Sequence, residues 1–175
     1  MSNTGRTSMV IWPAEPWPEF EETMHPSLHN AAIAVQNQTY LMKMRRLPRD
    51  RSLSTVRTYN GATVNGNFAC GVWVSYDGGV TATRLTGTAS TAQSGANAHQ
   101  ETSLAATVVV PAGLPWFLSW SSDSATGTHL SRSGWSVGTF SVGDRSQNSA
   151  GYNITTDRTL ASMAESAVLW WVQVF

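Results

Sequence analysis

Residues 67–86 read NFACGVWVSYDGGVTATRLT, and the fold is decided here. Phe68, Cys70, Val72, Val74 and Tyr76 alternate with Ala69, Gly71, Trp73 and Ser75. That is the period of two which sends successive side chains to opposite faces of a strand. Asp77-Gly78-Gly79 follows, and glycine accepts the positive φ that a tight hairpin turn demands. Residues 80–86 then read as the returning strand, so the segment predicts an antiparallel hairpin.

Working outward, the same alternation recurs. In 39–47, Tyr40, Met42 and Met44 alternate with Leu41, Lys43 and Arg45; Pro48-Arg49-Asp50-Arg51 reads as a turn and 53–60 as the next strand. Residues 86–100, TGTASTAQSGANAHQ, are small and polar without periodicity and read as a loop. A strand at 102–110 stops at Pro111-Ala112-Gly113. Residues 114–121 place Leu114, Trp116, Leu118 and Trp120 on one face. The Gly- and Ser-rich stretch 122–152 predicts short strands around Trp135 to Val142. The last nine residues, AVLWWVQVF, form a strand with Val168, Trp170, Val172 and Val174 on one face and Leu169, Trp171, Gln173 and Phe175 on the other. Before the β region, 27–36 (SLHNAAIAVQ) predicts a short helix with Ser27 as N-cap and Leu28, Ala31, Ala32 and Val35 on one side.

Seven or eight short strands separated by turns predict an all-β chain, an antiparallel β-sandwich of jelly-roll topology. The sandwich is expected over 26–175, and 1–25 is expected to be an extended arm. Pro13, Pro16 and Pro18 bar helix and central strand from the arm. Trp12, Pro13, Trp17, Phe20, Glu21 and Glu22 are its expected interface residues, docking on their own domain or a neighbour; the other reading is a loose tail. The final strand is apolar on both faces, so one face needs the arm, a loop or another subunit to cover it.

A chain of 175 residues points to one domain able to bury its own core. Apolar residues make up 41% and mean hydropathy is −0.18, values of a globular protein rather than a disordered one. Charged residues make up 13%, about half the usual share of roughly 25%, and net charge is zero. Such a surface repels copies of itself weakly, which fits either a chain that lives in an assembly or a low-charge monomer. Ten arginines against one lysine suit interfacial ion pairs, or reflect codon bias. Without net basicity, nucleic acid is not expected as the main partner. No apolar run approaches the roughly 20 residues that span a bilayer, and no signal peptide opens the chain, so neither membrane nor export is expected.

Signals of chemistry are sparse. Cys70 is the single cysteine and alternates with Phe68 and Val72, so it reads as a small core residue. His25 and His29 are four apart, but Pro26 and the cap at Ser27 separate them, and no metal site is predicted. His99 with Glu101, and Asp123 with His129, read as polar rim. There is no nucleophile elbow, phosphate loop or zinc-protease motif. No catalytic residue, metal or other cofactor is predicted, and the chain is not expected to be an enzyme. The basic run Lys43, Arg45, Arg46, Arg49 and Arg51 reads either as a surface for acidic protein, such as the Glu-rich arm of a neighbouring copy (Glu15, Glu19, Glu21, Glu22), or as a solvated edge. Eight tryptophans admit sugar stacking as well as packing; Trp135 and Trp171 are the candidates for glycan contact.

Three stretches, LHNAAIAVQNQTYLMKMRRL (28–47), GNFACGVWVSYDGG (66–79) and VVVPAGLPWFLSW (108–120), together resemble small jelly-roll domains in tail, fibre and head proteins of phages, especially those of actinobacteria. The likeness lies in a lead-in before the first strand, a strand ending in an aromatic-acid-Gly hairpin, and a Pro-Ala-Gly turn into an aromatic strand. It covers over half the chain. The Trp-Pro arm and the segment after 132 have no counterpart in the pattern. The resemblance implies a virion structural protein without catalytic residues, assembled in the host cytoplasm. As a minor tail or baseplate component, a capsid decoration protein or a glycan-binding attachment module, it would pack with copies of itself, a trimer by preference, and with other virion proteins.

Overall fold

The hairpin at 67–86 forms as read. The computed structural model describes residues 21–22, 31–33, 36–132, 146–166, 169–170 and 172–175, with side chains over 36–130, 150–163 and 172–175. In chain order the strands are β1 (Glu21–Glu22), β2 (Ala31–Ile33), β3 (Gln38–Lys43), β4 (Arg51–Tyr59), β5 (Asn67–Val74), β6 (Thr81–Gly87), β7 (Thr91–Ala92) and β8 (His99–Val110). They continue with β9 (Trp116–Ser122), β10 (His129–Arg132), β11 (Ser146–Ala150), β12 (Arg158–Thr159), β13 (Ala164–Ser166), β14 (Leu169–Trp170) and β15 (Val172–Val174). Every pairing among the described strands is antiparallel. The largest sheet runs β12-β6-β5-β9-β3-β11-β13, with β7 added beside β5; a second runs β1-β15-β4-β8 and a third β14-β10-β2. The bridge Asn60↔His129 ties the third sheet to the end of β4.

The two larger sheets face each other across one core. Tyr40, Met42, Phe68, Cys70, Val72, Trp116, Leu118 and Trp120 enter it from β3, β5 and β9. Leu53, Val56, Leu104, Val110, Val172 and Val174 enter from β4, β8 and β15. This is the antiparallel β-sandwich expected from the alternation. The strand orders establish layers and pairings, not the jelly-roll connection pattern.

The opposite face of the large sheet is also apolar and also buried. Leu41, Trp73, Ala82 and Phe117 pack there against Ile154, Leu160 and Met163. The segment 151–163 therefore covers the sheet from outside, pinned where Leu160 N donates to Val80 O and Gly151 N to Asn37 O. Arg84 holds the same segment, donating to Ile154 O at 2.9 Å and Asn153 Oδ1 at 3.0 Å with its guanidinium over the Trp73 ring. Burying apolar side chains of this size contributes roughly 1.5–3 kcal/mol each.

Two expectations change. The helix predicted over 27–36 does not form at its described core: Ala31–Ile33 is a strand, with His129 opposite Ile33, Leu130 opposite Ala32 and Ser131 opposite Ala31. A helix so short has a costly first turn to nucleate, whereas β10 offers ready-made backbone partners. The loop predicted over 86–100 contains β7, which pairs Asn67 with Ala92 and Phe68 with Thr91, and it runs into β8 at His99. The boundary expected at 25/26 and the strands expected around Trp135 to Val142 lie outside the described residues.

Candidate interaction surface

β3, β5 and β9 are neighbours, with Lys43 opposite Phe117 and Val74 opposite Trp116. The loops at 44–50, 75–80 and 111–115 therefore meet at one end of the sandwich. Backbone bonds knit them: Met44 N to Trp116 O at 2.9 Å, Gly113 N to Leu47 O at 2.9 Å and Ser75 N to Pro115 O at 2.8 Å. The Trp116 indole Nε1 donates to Arg45 O at 2.7 Å, so a core side chain fixes the course of the basic loop.

The structure brings the predicted basic residues together here. Arg45, Arg46 and Arg49 are exposed; Lys43 and Arg51 are half-buried at the adjoining ends of β3 and β4. Among the described residues, the acids Asp50 and Asp77 at this end are engaged within the fold. Asp50 Oδ1 accepts from Ala112 N at 2.8 Å. Asp77 Oδ1 accepts from Thr81 N (2.9 Å), Ser75 Oγ (2.7 Å) and Val80 N (3.0 Å). The Thr81 amide first, then the Ser75 hydroxyl, hold the Asp77 carboxyl far below the usual carboxylate range. The clasped hairpin leaves Tyr76 63% and Val80 57% exposed.

A second surface is the long strand β8. It pairs with β4 on one side and ends the sheet order on the other. Its residues 102–110, TSLAATVVV, carry no charge, and Ser103, Ala105, Ala106, Thr107 and Val109 are exposed. A register shift opposite Leu53 and Thr55 bulges the strand between Ser103 and Val108. Leu85 of β6 and Val108 pack onto the rim of the core at this corner.

The final strand differs from the two-sided apolar expectation at its described side chains. Val172 and Val174 enter the core, but Gln173 on the other side accepts from Arg57 Nη1 at 3.3 Å. Arg57 also pairs with Glu101, its Nε 2.8 Å from Oε1, and lies over the Phe175 ring. That face is a polar ladder with an aromatic end.

Of the residues weighed for chemistry, Cys70 is buried as expected, its thiol pushed far up by burial. His99 is exposed, edge-on to Tyr59, in a polar rim with Glu101. Asp123 is a clamp, accepting from Asn67 N at 2.6 Å and Asn67 Nδ2 at 2.8 Å. His129 is the correction. It is 2% exposed, not rim, with its ring against Phe68 at 5.5 Å and Trp120 at 4.8 Å between centroids. Burial lowers its pKa to about 4. The bridge to Asn60 draws it inside, a pairing that no local pattern announces. Among the described residues no three His, Cys, Asp or Glu side chains gather as a metal set, and no helix is long and apolar enough to cross a membrane.

Sequence reasoning also missed the amides beside His129. Asn60 Nδ2 donates to Gln100 Oε1 at 2.9 Å, Gln100 Nε2 to Ala92 O at 2.8 Å, and Asn65 N to Gln93 Oε1 at 3.0 Å. The parity of β4 was a usable signal, since Val56, Thr58 and Asn60 all point inward.

Of the arm residues, the backbone at Glu21 and Glu22 is described: Glu21 stands opposite Val174 and Glu22 opposite Gln173. Trp12, Pro13, Trp17 and Phe20 lie outside the described residues, as do His25, His29, Trp135 and Trp171. No protein-family model matches the chain, and no curated protein matches it either.

Proposed function

We propose that this chain is a structural protein of a bacteriophage particle, a minor tail or baseplate component that packs with copies of itself and other virion proteins through its N-terminal arm and an exposed β-edge. The observation that carries the reading is β8. Its outer edge offers nine consecutive uncharged residues, 102–110, in a molecule whose other apolar sheet face is already covered by its own segment 151–163. Edge strands that must stay solitary are usually protected by charges; this stretch has none. Sparse surface charge points the same way.

The reading is tested on particles and on the purified chain. Antibody labelling should decorate phage particles at the tail; labelling over the head would make the chain a capsid decoration protein, and unlabelled particles would end the structural reading. The purified chain should size as an oligomer. The double substitution Ala105→Lys and Val109→Lys should leave a folded monomer with unchanged circular dichroism. A wild-type chain that sizes as a monomer at every accessible concentration would remove β8 as the contact.

A further inference from the structure

At the end of the sandwich where three loops meet, an aromatic ring and two cations face solvent. Tyr76 and Val80 are 63% and 57% exposed on the hairpin after β5, although Asp77 and Ser75 hold that hairpin in one shape. Gly78 and Gly79 beside the ring have positive φ, and a β-carbon at either would meet nothing within 4 Å, so the turn is open around it. Arg46 and Arg49 are exposed on the loop after β3. No carboxylate among the described residues pairs with either one: Asp50 accepts from Ala112 N, and Asp77 is taken up by its own turn. β3 and β5 both flank β9, which sets their ends two strand spacings apart, roughly 10 Å. The turn 111–115 lies between them, held by the bonds from Gly113 N to Leu47 O and from Ser75 N to Pro115 O. It is uncharged, and its exposed residues Ala112 and Gly113 carry at most a methyl group. A low floor therefore separates the tyrosine from the guanidinium groups.

We propose that this end binds an acidic polysaccharide, a sugar ring stacking on Tyr76 while anionic groups of the same chain pair with Arg46 and Arg49. The C–H face of a sugar ring covers an aromatic ring as other apolar surface does, and the tyrosine hydroxyl leaves a polar edge for the sugar's own hydroxyls. A guanidinium holds a carboxylate or a phosphate at two points. Two observations weigh against an acidic peptide as the occupant. The amides that an added strand would use are spent, since Ser75 N, Gly113 N, Ala112 N and Val80 N all donate within the fold. The apolar side chains that would pocket its residues, Met44, Leu47 and Trp116, are buried. Single-stranded nucleic acid also combines stacking with phosphate contact, but its affinity is built from many cationic contacts, and a net charge of zero offers few. The inference goes beyond the virion role and does not depend on it.

The test is surface plasmon resonance of the full chain, at low salt, over immobilised polygalacturonate, phosphorylated dextran, neutral dextran and polyglutamate. One of the two anionic glycans should bind about fivefold or more tighter than neutral dextran and polyglutamate; which one tells whether carboxylate or phosphate is recognised. Tyr76→Ala should weaken that binding about fivefold, and Arg46→Ser with Arg49→Ser about tenfold. Tyr76→Phe, which keeps the ring, should retain it. All of these replace exposed side chains, and an unchanged urea midpoint identifies each variant as folded. Binding to neither anionic glycan would overturn the proposal, as would equal binding to polyglutamate or a folded Tyr76→Ala that binds like wild type. Tighter binding to single-stranded DNA, lost in the same variants, would assign the surface to nucleic acid and overturn it too. Particle labelling is a separate readout, so failure of this site and failure of the virion role are told apart.

Discussion

Acidifying this protein from pH 7 to pH 5 should take away about 2 kcal/mol of stability through His129. In the unfolded chain the imidazole takes up its proton near the ordinary value of 6.5; in the fold, burial holds it neutral down to about 4. Between those values the unfolded state binds the extra proton, so the His129 contribution to stability falls as pH drops through 6.5 and levels off below 4. The full difference of about 2.5 pK units is worth about 3 kcal/mol. Among the described residues the ring packs against Phe68 and Trp120, neither of them charged, and burial is the cause of the shift. Asp77 enters only at lower pH, because a carboxyl held below its usual range loses its contribution after the unfolded group begins to protonate. Urea unfolding followed by tryptophan fluorescence at pH 7, 6 and 5 measures the slope. His129→Phe should flatten it, whatever it does to absolute stability; His99→Gln at the exposed rim should leave most of it. A wild-type loss under about 0.5 kcal/mol over this range, or an undiminished slope in His129→Phe, would refute the burial argument.

The same packing supports four further predictions. Gly127→Ala should destabilise the fold by about 1–3 kcal/mol in chemical denaturation, because a β-carbon there would fall 2.2 Å from Asn65 O and 2.5 Å from Gln93 Oε1. Leu160→Ala should cost about 2–4 kcal/mol and make 151–163 the first site of limited proteolysis, since Leu160 anchors that segment to Trp73 and Phe117. Asp77→Ala should lower Tm and speed hydrogen exchange at the Val80 and Thr81 amides, which lose their acceptor. Cys70 should resist thiol reagents in the native protein and label at once in denaturant.

The strands were legible wherever one side of the chain met the core. Tyr40, Met42, Phe68, Val72, Trp116 and Leu118 follow period-two alternation and all reach it. The second core was not legible, because Leu41 and Trp73 read only as the opposite face of their strands and nothing in the local pattern marks Phe117 for burial. Their cover comes from Ile154, Leu160 and Met163, in a stretch with almost no regular structure. The short helix failed because apolar spacing over ten residues suits either a helix or a strand until a partner is known, and the partner β10 begins almost a hundred residues later. The basic run was legible as a cluster; its place beside the clasped hairpin required the pairing of β3, β9 and β5. His129 was misread because its burial depends on one distant bridge.

The two larger sheets join residues that are far apart along the chain: Tyr40 pairs with Trp120 and Met42 with Ser146 in one, Val56 with Val174 in the other. Closing such wide loops costs entropy before any contact rewards it, which places refolding in the range of roughly milliseconds to seconds. Until β15 arrives, the inner flank of β4 and the valines of the core lie open to solvent. A newly made chain is therefore most prone to misassociation in the interval before its closing strand docks, and its yield in a cell would depend on how long that interval lasts.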